Sequence, residues 1–137
     1  MNPPQPELIN TPQQLHHLLA QLASLDIVAL DTEFHAENRY YPQLMLLQLA
    51  ALDGRVWLVD PLAVDVQQLG TNLQHHRFIV HGGYEDIRIL HNELKIDPIH
   101  IFDTQIAAAF MGKHYPIGLQ VLLLSLIHIS EPTRLTS

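Results

Sequence analysis

The sequence predicts one mixed α/β domain in which helices pack on the faces of a sheet. Three short apolar runs come first, and the hairpin signal Asp53-Gly54 separates the second run from the third. Further along the chain, apolar residues at helical spacing alternate with more short apolar runs. A meander of strands followed by alternating helices and strands is typical of a mixed sheet. The 137 residues, 47% of them hydrophobic, suit one compact domain with a substantial core.

The first elements are a lead-in and a helix. Residues 1–10 carry three prolines and no periodicity, which predicts a loose lead-in without regular structure. Thr11 fits an N-cap, Pro12 the first helical position and Gln14 the far side of a capping box. The apolar face of this helix consists of Leu15, Leu18, Leu19 and Leu22.

Strands are predicted over about residues 27–34, 44–50 and 56–59. The second run also fits a buried helix by its periodicity, but turn residues on both sides favour a strand. After these strands, predicted helices alternate with short predicted strands. Helices are predicted over residues 66–73, 84–94 and 104–111, the last with Asp103 as N-cap, and short strands over residues 78–80 and 99–102.

Composition limits the classes of protein. A formal net charge of −7 argues against a broad basic face for nucleic acid, although metal ions can neutralise an acidic site and a substrate phosphate locally. The lack of cysteine excludes disulfides and thiolate zinc sites. The N-terminus lacks the features of a signal peptide, and no apolar run is long enough to span a bilayer. We expect a cytoplasmic protein without membrane association, and we predict no protein partner.

Two carboxylates, Asp31 and Glu33, stand at the end of the first predicted strand. In an extended chain residues two apart point to the same face, so these like charges lie close together. A hard divalent cation bound by oxygen ligands relieves such repulsion. The alternative to a metal site is that both carboxylates are solvated residues at a strand end. The buried strand before them favours a metal site, because sites collect at the carboxyl ends of strands in open α/β sheets.

A third carboxylate, Asp86, falls in the first turn of a predicted helix, just after Gly82 and Gly83. The helix dipole favours a carboxylate there even without a function. Glu85 competes for any special role, but Arg88 three residues on makes it a surface ion pair. Asp86 is followed at helical spacing by apolar residues, which places it nearer the core and facing the sheet.

Four ordered segments of the chain resemble the ribonuclease D family. They are Asp31-Thr-Glu-Phe34, Arg39-Tyr-Tyr-Pro-Gln-Leu44 with Gln48, His81-Gly-Gly-Tyr-Glu-Asp86, and Asp103-Thr-Gln-Ile-Ala-Ala-Ala-Phe110. The similarity covers roughly residues 8–120. That family belongs to the 3′-5′ exonucleases with four metal-binding acidic residues, so the resemblance implies a ribonuclease H-like fold.

The resemblance implies that Asp31 and Glu33 form the first exonuclease motif and Asp86 the second. It implies two divalent cations, Mg²⁺ or Mn²⁺, that activate the attacking water and stabilise the leaving 3′ oxygen. The implied activity is hydrolysis of RNA 3′ ends, as in tRNA precursors, with release of nucleoside 5′-monophosphates. A related DNA exonuclease is the alternative, because nothing in the sequence directly reads a 2′-hydroxyl.

The third motif of the family, a Tyr followed four residues later by Asp, is missing from this sequence. The stretch Leu124–Arg134 resembles the in-frame translation of a transposase adapter used for sequencing libraries, and the alternative is an ordinary helix with a polar tail. We therefore expect a partial exonuclease domain over residues 11–123, incomplete at its C-terminus, and a non-native tail over residues 124–137. A further alternative is a catalytically incompetent fragment with little nuclease activity and residual metal or RNA binding.

Three more residues are candidates for substrate contact. Tyr40 and Tyr41 can stack on single-stranded bases, and a core or edge position explains them equally well. His81 precedes Asp86 at the spacing of a catalytic histidine in another branch of these exonucleases. That role needs a further catalytic Asp between residues 33 and 81, and Asp53 and Asp60 both fit turns instead. A structural or substrate-adjacent His81 is therefore favoured over a base.

Overall fold

A computed structural model of the protein describes residues 5–38 and 40–130. In these ranges the strands are β1 (Glu7–Ile9), β2 (Ile27–His35), β3 (Gln43–Ala50), β4 (Val56–Val59), β5 (Arg77–Val80) and β6 (His100–Asp103). The helices are α1 (Pro12–Ala23), α2 (Val66–Leu73), α3 (Tyr84–Leu94), α4 (Thr104–Phe110) and α5 (Leu119–Ser130). Part of the expected lead-in (residues 1–4), Arg39 of the second resembling segment, and residues 131–137 of the expected tail lie outside the described residues.

The described strands form one sheet in the order β1-β4-β3-β2-β5-β6. β2, β3 and β4 pair antiparallel as a meander, which also shows that the second apolar run is a strand. β1 runs parallel to β4, β5 parallel to β2, and β6 parallel to β5. The prediction of a mixed α/β sheet with a meander followed by alternating helices and strands is confirmed.

The expectation of a loose lead-in is wrong for Glu7–Ile9, which form β1. Ile9 is fully buried and pairs in register with Val59 at the far edge of the meander. A strand of three residues is too short to show a periodicity, and its backbone hydrogen bonds come from a partner far along the chain. The pairing with β4, rather than a local signal, therefore orders this segment.

The main core lies on one face of the sheet. In β2 the side chains of Val28 and Leu30 are buried on this face, and Trp57 of β4 and Phe78 of β5 join them in the core. Leucines and an isoleucine from α1, α2 and α3 belong to the same cluster. A smaller cluster is formed by α4, α5 and the segment between them. β2 thus lies in the middle of the sheet, between β3 and β5.

The predicted helix starts are confirmed. The Thr11 hydroxyl accepts a hydrogen bond from the N–H of Gln14 at 3.2 Å, and the Gln14 side chain accepts the N–H of Thr11 at 3.1 Å. Asp103 caps α4, as predicted, and Asp65 caps α2. Within the described ranges, none of the helices has the length and apolar character needed to cross a membrane.

Candidate functional site

The two carboxylates of the first motif lie at the carboxyl end of the central strand. Asp31 and Glu33 are both exposed, whereas Thr32 between them is buried on the core face. The predicted alternation therefore holds, and the two carboxylates share the face of the sheet opposite the main core. Asp31 pairs in register with Gln48 of β3, and a bulge between Glu33 and Phe34 shifts the register before the pairing continues to His35.

Asp86 approaches the same stretch of β2 from the core face, through Thr32. It lies in the first turn of α3 and is only 7% exposed. Its Oδ1 accepts the backbone N–H of Thr32 at 3.2 Å and also the Thr32 hydroxyl. Glu85 instead forms a surface ion pair with Arg88 at 3.3 Å. The predicted division between a core-facing Asp86 and a surface Glu85 is confirmed.

The electrostatics of Asp86 reflect this position. Burial raises the pKa of the Asp86 carboxyl, and the hydrogen bonds from Thr32 offset part of the increase. The negative charges of Asp31 and Asp103 raise this pKa further. Asp31 and Asp86 therefore repel each other, and positive charge between them would relieve this repulsion.

The donor set of Asp31, Glu33 and Asp86 suits a hard divalent cation, because each side chain offers carboxylate oxygens. Both hydrogen bonds from Thr32 fall on Oδ1 of Asp86, so its Oδ2 is left for a ligand. Within residues 5–38 and 40–130, however, no three Asp, Glu or His side chains come close enough to form a complete metal site. The described residues thus do not form a complete metal site.

A cleft of about 520 Å³ opens beside Asp31. Gln48, His81 and Thr104 line it together with Leu119 at the start of α5. A larger cleft of about 730 Å³ runs along β6 and α4, and Asp103 is the acidic residue in its wall. The Asp103 carboxylate is already bonded to backbone N–H groups. The smaller cleft, which contains Asp31, is therefore the candidate site.

Asp103 holds together the turn that precedes α3. Its Oδ2 accepts the N–H of Gly83 and its Oδ1 accepts the N–H of Gly82, both at 2.9 Å. Oδ1 also caps α4 by accepting the N–H groups of Gln105 and Ile106. Partial burial raises the pKa of the Asp103 carboxyl, but these backbone hydrogen bonds outweigh burial and leave the pKa below its usual range.

Asp103→Asn is expected to lower the free energy of unfolding by about 1 kcal/mol at neutral pH, because an amide nitrogen cannot accept the N–H of Gly83. A carboxylate whose pKa is lowered by folding stabilises the chain above its unfolded pKa of about 3.9, and this stabilisation is lost as the pH falls through the folded pKa. The difference in the free energy of unfolding between Asp103→Asn and wild type should therefore become smaller below about pH 4. Urea unfolding of both proteins at a series of pH values measures this difference.

The control for this prediction is Asp65→Asn. Asp65 caps α2 by accepting the N–H of Gln67 through Oδ1 alone, and asparagine keeps an oxygen for that bond. We expect a change within about 0.5 kcal/mol for the control. An equal loss of stability in both variants, or a difference that does not depend on pH, would contradict the role assigned to the Asp103 carboxylate.

The tyrosines proposed for substrate contact lie on the surface. Tyr40 is 91% exposed and Tyr41 is 61% exposed, and their rings meet edge to face with centroids 4.8 Å apart. A core position is excluded for both rings by these exposures. Contact with substrate stays a prediction for Tyr40 and Tyr41.

Sequence reasoning missed Thr32 and Thr104 as parts of the site. Thr32 fixes Asp86, and the Thr104 hydroxyl lies 2.8 Å from Nδ1 of His81. The one signal for Thr32 is its place between two outward carboxylates, which sends its hydroxyl to the core face. The sequence indicates only that Thr104 is a helix residue after an N-cap. No spacing rule pairs it with His81.

The chain is similar in sequence to known proteins. A family model described as 3′-5′ exonuclease matches residues 6–133. Ribonuclease D of Desulfotalea psychrophila is 37% identical over 122 residues, which are 87% of this chain and 33% of that protein. Ribonuclease D of Musicola paradisiaca is 36% identical over 128 residues, which are 90% of this chain and 34% of that protein. The chain thus spans about a third of the length of these curated relatives.

Solved structures show the same fold. The crystal structure of Escherichia coli RNase D matches with a TM-score of 0.78 and 31% identity, over 97% of this chain and 35% of that one. A protein from Bifidobacterium adolescentis matches with a TM-score of 0.74 and 27% identity, over 89% of this chain and 30% of that one. The predicted ribonuclease H-like fold is confirmed. The chain belongs to the 3′-5′ exonuclease family, and its similarity is to the ribonuclease D proteins.

Proposed function

We propose that this chain carries part of the active site of a 3′-5′ exoribonuclease of the ribonuclease D type. The observation that carries the proposal is the attachment of Asp86 to Thr32, which sets a buried carboxylate beside the exposed Asp31. Burial and the hydrogen bonds from Thr32 fix the position of the Asp86 carboxylate. Family membership adds the expectation of divalent metal dependence.

We propose Asp31, Glu33 and Asp86 as ligands of two divalent cations, Mg²⁺ or Mn²⁺, in a site that the described residues do not complete by themselves. When bound, such cations supply the positive charge that activates water and stabilises the leaving oxygen in phosphodiester hydrolysis. The chain itself contributes the orientation of the ligands. Thr32 fixes one oxygen of Asp86, and the end of β2 presents Asp31 and Glu33 on the open face of the sheet.

The proposed substrates are the 3′ ends of structured RNA such as tRNA precursors, with nucleoside 5′-monophosphates as products. The E. coli relative is described as an exoribonuclease involved in structured RNA processing, and this chain is 31% identical to it. Tyr40 and Tyr41 offer exposed rings on which single-stranded bases can stack. We also propose a cytoplasmic location, an exonuclease portion over residues 11–123 and a non-native tail over residues 124–137.

A second candidate is a fragment that binds metal or RNA and hydrolyses RNA poorly. The incomplete ligand set of the described residues favours it, as does the lack of a Tyr followed four residues later by Asp. A DNA exonuclease is the other alternative, because the described site contains no group assigned to a 2′-hydroxyl.

Matched RNA and DNA oligonucleotides, incubated with residues 1–137 and Mg²⁺, test the proposal. We expect slow release of nucleoside 5′-monophosphates from the 3′ end of RNA, and slower release from DNA. Equal or faster degradation of DNA would favour the DNA exonuclease. Measurable Mn²⁺ binding without any release of nucleotides would favour the fragment. Products from the 5′ end would contradict membership of this reaction class.

A further inference from the structure

Three separate segments of the chain meet at His81, directly after β5. Nδ1 of its ring lies 2.8 Å from the Thr104 hydroxyl, at the start of α4. Nε2 lies 2.7 Å from the carbonyl oxygen of Ile117, in the segment before α5. Gln105 donates to the same Ile117 carbonyl through its side-chain nitrogen at 2.9 Å. His81 and Gln105 thus hold one carbonyl between them.

The chemistry of these partners fixes the protons on the ring. A carbonyl can only accept, so Nε2 of His81 must donate to Ile117 in every arrangement. In the neutral ring Nδ1 accepts the Thr104 hydroxyl proton. In the charged ring Nδ1 donates to Thr104, and the hydroxyl proton then goes to the Val80 carbonyl 3.1 Å away. In both arrangements each ring nitrogen is bonded to a group of the chain itself.

The contact at Ile117 determines one wall of the candidate site. Ile117 is buried in the small cluster with Ala108 and Leu122, so this segment packs against α4 on one side. Two residues later, Leu119 lines the same cleft as Asp31 and His81. Loss of the His81 hydrogen bond would free this segment to move relative to Asp31.

We propose that His81 is a positioning residue that fixes residues 117–119 as the wall of the cleft beside Asp31. It acts through the Ile117 carbonyl and neither takes a proton from substrate nor binds substrate itself. The importance of this wall for RNA cleavage rests on the proposed function. The positioning itself does not, because it concerns contacts within the chain.

Hydrogen exchange of backbone amides in the full chain tests the proposal. The N–H of Leu122 donates to the Gly118 carbonyl at 3.0 Å and reports on the start of α5. In His81→Ala this amide should exchange roughly ten- to a hundredfold faster, as expected for the loss of two hydrogen bonds. His81→Gln should restore protection, because its amide nitrogen can donate from the position of Nε2. The matched control is exposed His75→Ala, which should exchange as wild type does.

Unchanged exchange at Leu122 in His81→Ala would overturn the proposal. If His81→Ala speeds up amide exchange throughout the chain, exchange at Leu122 is compared between His81→Gln and His81→Asn instead. Asparagine is too short to reach Ile117. Equal exchange in those two would also overturn it. With RNA, we expect His81→Ala to raise KM more than it lowers kcat, and His81→Gln to recover KM. An exchange effect in a chain that cleaves no RNA would support the positioning role and count against the proposed function alone.

Discussion

Asp31→Asn should weaken Mn²⁺ binding by at least about tenfold, and it should reduce metal-dependent release of nucleotides from RNA below detection. Asparagine keeps the size of the side chain and one oxygen but removes the charge that a hard cation prefers. Asp31 is exposed on β2, so its replacement leaves the core intact. Calorimetric titration with Mn²⁺ measures the binding, and urea unfolding verifies that the fold is retained.

Glu85→Gln is the matched control for this result. Glu85 precedes Asp86 in sequence and loses the same charge, but it pairs with Arg88 on the surface. We expect its Mn²⁺ affinity to stay within about twofold of wild type, since an exposed charge is screened by solvent. An equal loss in both variants would assign the effect to net charge. Unchanged binding in Asp31→Asn would remove Asp31 from the metal site.

Local signals were sufficient to predict most of the fold. The capping box at Thr11 and the apolar face after it act within a few residues, and α1 follows them. The hairpin signal at Asp53-Gly54 likewise lies between two strands that pair with each other. β1 was not predicted because Glu7–Ile9 form a strand by pairing with β4. No local pattern in a proline-rich stretch reveals such a pairing.

The site was predictable in its carboxylates but not in the residues that fix them. Alternation along a strand and helical spacing are local rules, and they placed Asp31 and Asp86 correctly on the outer and core-facing sides. Thr32 and Asp86 are 54 positions apart, and His81 and Ile117 are 36 positions apart. Such contacts depend on how the sheet and helices pack, so spacing in the sequence does not indicate them.

The other large effect is expected in the core, at Gly70 of α2. A Cβ on this residue would lie 2.2 Å from the Leu94 carbonyl oxygen and 3.1 Å from its carbonyl carbon, at the contact between α2 and α3. The obstacle is backbone, which cannot rotate away as a side chain can. Gly70→Ala must therefore separate α2 from α3 and loosen the packing of Leu69 and Leu73, both of which are fully buried.

We expect Gly70→Ala to lower the free energy of unfolding by about 2 kcal/mol, measured by urea unfolding followed by circular dichroism. Alanine favours a helix over glycine by about 1 kcal/mol, so the net loss arises only if the steric conflict is larger than this gain. Gly118→Ala is the control, because a Cβ there meets no atom within 4 Å, and its effect should stay within about 0.5 kcal/mol. A Gly70→Ala chain as stable as wild type would mean that α2 and α3 do not approach so closely.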